Sequence, residues 1–200
     1  MHHTNVELSK NELELVVNSE FILTKNRIIE KVYNMFGLLN EVFKATLKEN
    51  AESLPGEVFL SSPKIYKGEN YLNLPYVMMD YPRIFLKEDV FAIRSFFWWG
   101  NYFSITLQLS GRFLEGFADN IEMNLKTKTL ENYFICINDS PWQHHFEETN
   151  YTPLKEISSI EKILNNKFFK IAVKFPLIEW NNATTFFKEN YITLVQMLTE

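Results

Sequence analysis

The chain has 200 residues, a net charge of -5 at pH 7, and 16% aromatic residues led by 18 Phe, with only 6 Gly and 7 Pro. So many large apolar side chains offset ordering entropy, which excludes a disordered or low-complexity chain. The acidic balance offers phosphates no basic field, so nucleic acid is not an expected partner. A single Cys136 excludes an intramolecular disulfide framework and a Cys-rich zinc site.

Residues 1–5 are polar and lack the apolar run of a secretory signal, and His2 and His3 carry no weight. The densest apolar stretch, residues 91–99, is interrupted by Arg94 and Ser95 and is too short to span a bilayer. The expectation is a soluble, cytoplasmic protein with no membrane partner. Without an internal repeat or a Gly, Ser or Pro-rich linker, residues 1–200 read as one domain. It has a helical part over 9–50 and a mixed strand and helix part over 60–200.

Ser9 and Glu12 have capping-box spacing ahead of Leu13, Val16 and Val17, which predicts a first helix. A longer helix is predicted over 25–49. There Ile28, Ile29, Val32, Phe36, Leu39, Phe43 and Leu47 recur at three- and four-residue steps. Met35, Leu38 and Val42 widen its apolar arc, and Gly37 suggests a bend or close approach. After Pro55 and Gly56 the pattern turns to strands at 64–66 and 71–79, around a turn at 67–70. Asp80 to Arg83 should break that ladder, because Pro82 lacks an amide donor.

The clearest hairpin joins 91–99 to 102–110 through Gly100 and Asn101, read as a two-residue type II′ turn. A helix over 112–125 follows, then a buried strand over 132–138. A second capping box, Ser158 with Glu161, starts a short helix to about 166. Residues 168–175 alternate, with Phe169, Ile171, Val173 and Phe175 opposite Lys170 and Lys174. A closing amphipathic helix spans 182–199. The fold class expected is α+β: a mostly antiparallel sheet of about five to six strands, with N-terminal and C-terminal helices packed on one face.

A two-residue turn would pair Trp99 with Tyr102, Phe97 with Ser104, Ser95 with Thr106 and Ile93 with Gln108 on one face. The other face would hold Trp98, Phe103, Phe96, Ile105, Arg94 and Leu107. The first face mixes rings with hydroxyl and amide groups, which suits a ligand pocket or partner surface. The plainer reading is cross-strand aromatic pairing that only stabilises the sheet. Arg94 needs a carboxylate or carbonyl partner if buried, with Asp80, Asp89 and Glu115 as candidates. A wider reading joins Arg83, Arg94 and Arg112 into an anion clamp.

The segment 139–148 holds Asp139, Trp142, His144, His145, Glu147 and Glu148, and follows a buried strand. Adjacent histidines rarely chelate one ion, and no HExxH, GxSxG, P-loop, GxGxxG, CxxC or EF-hand motif is present. No cofactor is called for, and Cys136 within an apolar run reads as a small buried hydrophobe.

The leading expectation is a non-enzymatic ligand- or protein-binding module using an aromatic and polar sheet face. Its candidate binding residues are Arg94, Phe97, Trp99, Tyr102, Thr106, Gln108, Trp142, His144 and His145. The alternative is a small-molecule enzyme or metal-binding protein centred on Asp139, His144 and His145. A third reading is a homo-oligomer held by the aromatics.

Overall fold

The computed structural model describes residues 6–199, so His2 and His3 lie outside the described residues. Within them run α1 (Lys10–Val16), α2 (Ser19–Glu49), α3 (Glu57–Leu60), β1 (Lys64–Tyr71), β2 (Leu74–Phe85), β3 (Val90–Trp98) and β4 (Tyr102–Ser110). There follow α4 (Arg112–Thr127), β5 (Tyr133–Cys136), β6 (Tyr151–Pro153), α5 (Ile160–Leu164), β7 (Phe168–Pro176) and α6 (Ala183–Thr199). The fold is α+β. Its sheet has the order β1-β2-β3-β4-β7-β5-β6, and every adjacent pair is antiparallel. The strand beyond the expected six is β6, whose three residues are too few to show an alternation.

The helices cover one face of the sheet, as the alternation in β7 implies. Phe91, Ile93 and Phe97 of β3, Phe103, Ile105 and Leu107 of β4, and Phe169 and Ile171 of β7 are buried in one core with Val32, Phe36 and Phe43 of α2. Phe187 of α6 ties the layers together, 5.7 Å edge-on to Phe103 and 5.3 Å from Phe36. Each ring fully removed from water contributes roughly 1.5–3 kcal/mol, so this layer holds the fold together. In α2 the periodic residues expected to be buried are so from Ile29 onward. The helix begins earlier than the pattern implies, at Ser19, where Asn18 caps the Phe21 amide. Leu38 is exposed, and nothing approaches the Cβ position of Gly37. Leu38 therefore widens no contact, and Gly37 marks no close approach.

The central hairpin departs from its expected register. Trp98, not Trp99, pairs with Tyr102, and Phe97 pairs with Phe103. The Asn101 amide donates to the Trp98 carbonyl at 3.1 Å, closing a four-residue turn whose third residue, Gly100, has φ +72°. A positive φ at that position is what a type II turn requires, so the loop holds three residues and not two. One residue of slip moves every β3 side chain to the opposite face. Trp98, Phe96, Arg94 and Ala92 therefore lie across from Tyr102, Ser104, Thr106 and Gln108. Phe97 joins the helix-side core instead, and Trp99, at the turn, packs edge-on against it at 6.2 Å.

The β1–β2 turn is likewise displaced. Leu72 and Asn73 carry positive φ between the paired Tyr71 and Leu74, so the chain reverses there and not at 67–70. Gly68 serves the strand instead: a Cβ at that position would sit 2.5 Å from the Tyr76 ring. The β2 ladder shifts register between Asp80 and Arg83 but continues to Phe85. The short α5 is capped by Ser159, whose hydroxyl accepts from the Lys162 amide, and not by Ser158.

Gly111 joins β4 to α4 at φ +53°, and a Cβ there would stand 2.1 Å from Asp89 Oδ1. That oxygen accepts the Arg112 amide at 3.0 Å. Gly111→Ala is therefore expected to lower stability by about 1–3 kcal/mol through backbone strain, and to displace Asp89 from the helix start. A shifted urea midpoint with unchanged slope would report it.

Candidate functional site

The second face of the sheet is closed by the chain itself. Residues 137–150 leave β5, cross that face and return into β6. The Ile137 amide bonds the Asn150 carbonyl at 2.9 Å, and the Asn150 and Tyr151 amides both bond the Glu147 carbonyl. Asn138 braces the crossing from within, its amide reaching the Thr149 carbonyl at 3.2 Å and its side-chain oxygen accepting from the Ser140 amide at 2.8 Å.

Four sheet residues fasten this strap. The Tyr71 hydroxyl accepts both the His144 and His145 amides, at 2.7 and 2.9 Å. The Tyr102 hydroxyl donates to the His144 carbonyl at 3.2 Å. Lys170 Nζ donates to the Pro141 carbonyl at 2.8 Å and to the Gln143 carbonyl. Arg94 Nη1 meets His144 Nε2 at 3.1 Å. Aromatic packing completes the closure: Phe146 stacks on Tyr151 at 4.6 Å and meets Tyr102 and Phe134 edge-on.

Arg94 sits at the centre of the polar cluster. It makes a two-point ion pair with Asp80, Nε to Oδ1 at 2.7 Å and Nη2 to Oδ2 at 2.9 Å. Their side chains are only 11% and 4% exposed. Tyr66 adds a hydrogen bond to Asp80 Oδ2 at 3.1 Å, and burial pushes its own pKa up to about 12. Since a guanidinium only donates, His144 Nε2 must accept, which places the neutral imidazole's proton on Nδ1. Burial first, then the positive charges of Arg94 and Lys170, holds His144 well below the usual imidazole range. Burial also pulls Lys170 down to about 8, and raises Tyr102 and Tyr151.

The His144 shift has a definite sign in stability. The unfolded imidazole takes a proton near its ordinary 6.5, whereas the folded one resists it. Stability is therefore full above that pH and falls as the pH drops toward the lower folded value, at up to ~1.4 kcal/mol per unit. His144→Gln should flatten this acid-side decline in urea titrations. An identical decline in the variant would assign it to other groups.

The structure divides the expected binding residues. Arg94, Tyr102 and Thr106 of the sheet come together with His144 and the His145 backbone of the strap, with Gln108 buried on the same sheet face. Phe97 is in the helix-side core and Trp99 on the turn beside it, because of the register slip. Trp142 lies at the strap's outer edge, half exposed and 5.9 Å from Phe85. The arginines do not form one clamp: Arg112 pairs with Glu57 at 2.7 Å and Asp89 at 3.2 Å, apart from the Arg94–Asp80 pair.

Asp139 lines a separate cleft of about 430 Å³ with Cys136, Lys167 and Phe168. Among the described residues, no hydrogen bond joins it to either imidazole, and no group of three or more His, Cys, Asp or Glu could hold a metal ion. Burial raises the Cys136 thiol pKa, which disfavours the nucleophilic thiolate. Tyr71, Asp80 and Lys170 have larger roles than their sequence positions suggested. Asp80 was legible as a candidate Arg94 partner, whereas Lys170 reads as an outward residue of an alternating strand.

Among the other open surfaces of the described residues, two bear on function. A cleft of about 580 Å³ lies between the β7 end and α6, lined by Tyr133, Lys174, Phe175, Glu179, Phe186 and Asn190 among others. Its walls are internally tied, with Phe175 stacked on Phe186 at 4.8 Å and the Tyr133 hydroxyl on Asn190 Oδ1 at 2.7 Å. The second surface is the N-terminal helical segment. In α1 the capping box of Ser9 and Glu12 forms as expected, yet none of its residues is buried. No protein family, curated protein or solved structure matches this chain. No helix among the described residues is long and apolar enough to cross a membrane.

Proposed function

We propose that the protein is a non-enzymatic protein-binding module that offers its N-terminal helical segment, residues 6–23, to another polypeptide. The observation that carries this reading is apolar exposure. Nine large apolar side chains in that segment stand 47% to 85% exposed, including Val6, Leu15, Val16, Val17 and Ile22. Monomeric proteins rarely leave contiguous apolar surface of more than a few hundred Å² in water. The surface expected on the hairpin is less available to a partner, because the strap lies over Arg94 and Tyr102 and Phe97 is in the helix-side core.

The polar cluster supports the same reading. Its reactive groups are already engaged: Arg94 by Asp80 and His144, Lys170 by two carbonyls, and the Tyr71 oxygen by two amides. This arrangement fixes a loop on a sheet and leaves those groups little freedom for substrate.

Site-specific photo-crosslinking tests the proposal. A crosslinking residue at Leu15 or Ile22 should yield a discrete polypeptide adduct in cell extract. The same residue at Ile178, which is 93% exposed but lies apart from this segment, should not. Equal labelling from all three positions would contradict the reading.

A further inference from the structure

The partner of the N-terminal segment can be narrowed by the way α2 leaves the sheet. Ile29, Phe36 and Phe43 recur at seven-residue steps, with Val32, Leu39 and Thr46 between them, and all six are buried. Followed backward, the same steps reach Lys25 and then Ile22. Lys25 still meets the protein, through an ion pair with Glu69 of the edge strand β1. Ile22 is half exposed, with Phe21 and Leu23 beside it. The seam that packs α2 on the sheet thus continues past the sheet's edge, where Ile22 is left half exposed. A seven-residue apolar seam is the surface onto which another helix packs.

We propose that this overhang, together with α1, binds a second copy of the chain in a two-fold symmetric, antiparallel helical contact. This rests on the binding-module reading and names its partner. Three observations carry it. First, residues 6–23 hold nine large apolar side chains that are each about half exposed or more, and an interface core is where such side chains are removed from water. Second, the partner required is a helix with an unpartnered apolar seam, and the chain itself carries one. A two-fold contact uses the same patch on both copies.

Third, the charges are ordered along the segment. Glu7, Glu12, Glu14 and Glu20, with the single Lys10 among them, precede Lys25, Arg27 and Lys31, with the single Glu30 among them. Antiparallel copies set the acidic half of one against the basic half of the other, whereas parallel copies set like against like. The pairs within one copy, Glu20 with Arg27 and Glu14 with Lys10, are solvent-exposed and contribute little, so exchanging partners across the contact costs little, while Lys25 keeps its pair with Glu69 of β1 and adds only its field. The excess of Glu7, Glu12, Glu14 and Glu20 over Lys10 within residues 6–23 disfavours an anionic lipid surface as the occupant, since interfacial helices hold such lipids through Lys and Arg.

Sedimentation velocity of the full chain, from low micromolar to submillimolar concentration, tests the proposal. The expected result is a monomer–dimer equilibrium. Val16→Glu with Ile22→Glu should weaken association by about a hundredfold or more. Val16 is 69% and Ile22 51% exposed, so the circular dichroism of the monomer should be unchanged and its urea midpoint should move little. As a check independent of those variants, Ile22→Cys should form a disulfide-linked dimer faster than Ile178→Cys.

A wild-type chain that stays monomeric throughout overturns the second copy as partner. In that event an adduct to a different protein at Leu15 leaves the binding-module reading standing, while no adduct removes both. Flotation of the wild-type chain with phosphatidylserine-containing vesicles, abolished by the same substitutions, would overturn the proposal in favour of a lipid surface.

Discussion

Asp80→Ala is expected to destabilise the protein by about 3–5 kcal/mol, the usual cost of leaving one partner of a buried ion pair behind. The substitution removes both carboxylate bonds of Arg94 and the oxygen acceptor of Tyr66, whose hydroxyl keeps only Met78 Sδ at 3.2 Å. The guanidinium then remains under the strap with only His144 Nε2 to receive it. Removing both charges should cost much less, because an apolar pair of similar volume avoids desolvation. Urea titrations of Asp80→Ala, Arg94→Met and the combined Asp80→Leu, Arg94→Met variant separate the two effects. The combined variant should be more stable than Asp80→Ala. If it is less stable, the ion pair itself, and not the avoidance of an orphaned charge, holds this part of the sheet.

Lys170→Met is expected to loosen the strap and to change the alkaline pH profile. The Pro141 and Gln143 carbonyls lose their donor, and each buried orphan costs about 1–3 kcal/mol. Against this, methionine no longer buries a cation. The pH dependence separates the two contributions. Burial lowers the folded Lys170 from 10.5 to about 8, while the unfolded lysine keeps its ordinary value. Between those values the unfolded state binds more protons, so this contribution to stability is fully present above pH 10.5 and is lost as the pH falls toward 8. The wild type should therefore gain stability relative to Lys170→Met as the pH rises through this window, with a constant difference below it. A constant difference across the whole range would place the Lys170 ammonium in water.

Much of the fold was legible because the helix-side core obeys simple periods. The three- and four-residue steps from Ile29 to Leu47 and the alternation from Phe169 to Phe175 both mark buried faces. The face assignment of β3 was not legible in the same way. It hangs on whether Gly100 begins a two-residue turn or occupies the third position of a four-residue one, and both place a glycine where positive φ is needed. With that one residue of slip, Arg94 moves from an apolar face to a polar one, and Phe97 moves into the core.

The site was legible in part. The histidine segment and Arg94 were each singled out by composition, and they meet at 3.1 Å. What joins them is long-range. Tyr71 lies 73 residues before His144, and Lys170 lies 29 after Pro141. Local spacing carries no trace of such contacts. A charged residue in an alternating strand also reads as solvent-facing unless something covers that face. The exposure of α1 was hidden for the opposite reason: Leu13, Val16 and Val17 have the pattern of a core-facing helix, but the sheet does not reach them.

The central claim is that the chain's own strap occupies the polar face of the sheet, which leaves the N-terminal helices as the surface offered to a partner. Residue-resolved amide hydrogen exchange tests it most directly at His144 and His145, whose amides both donate to the Tyr71 hydroxyl. The predicted result is strong protection of both amides in the wild type. In Tyr71→Phe that protection should be lost while the β4 amides keep theirs. Exchange of both amides at the rate of an open surface loop in the wild type would contradict the account.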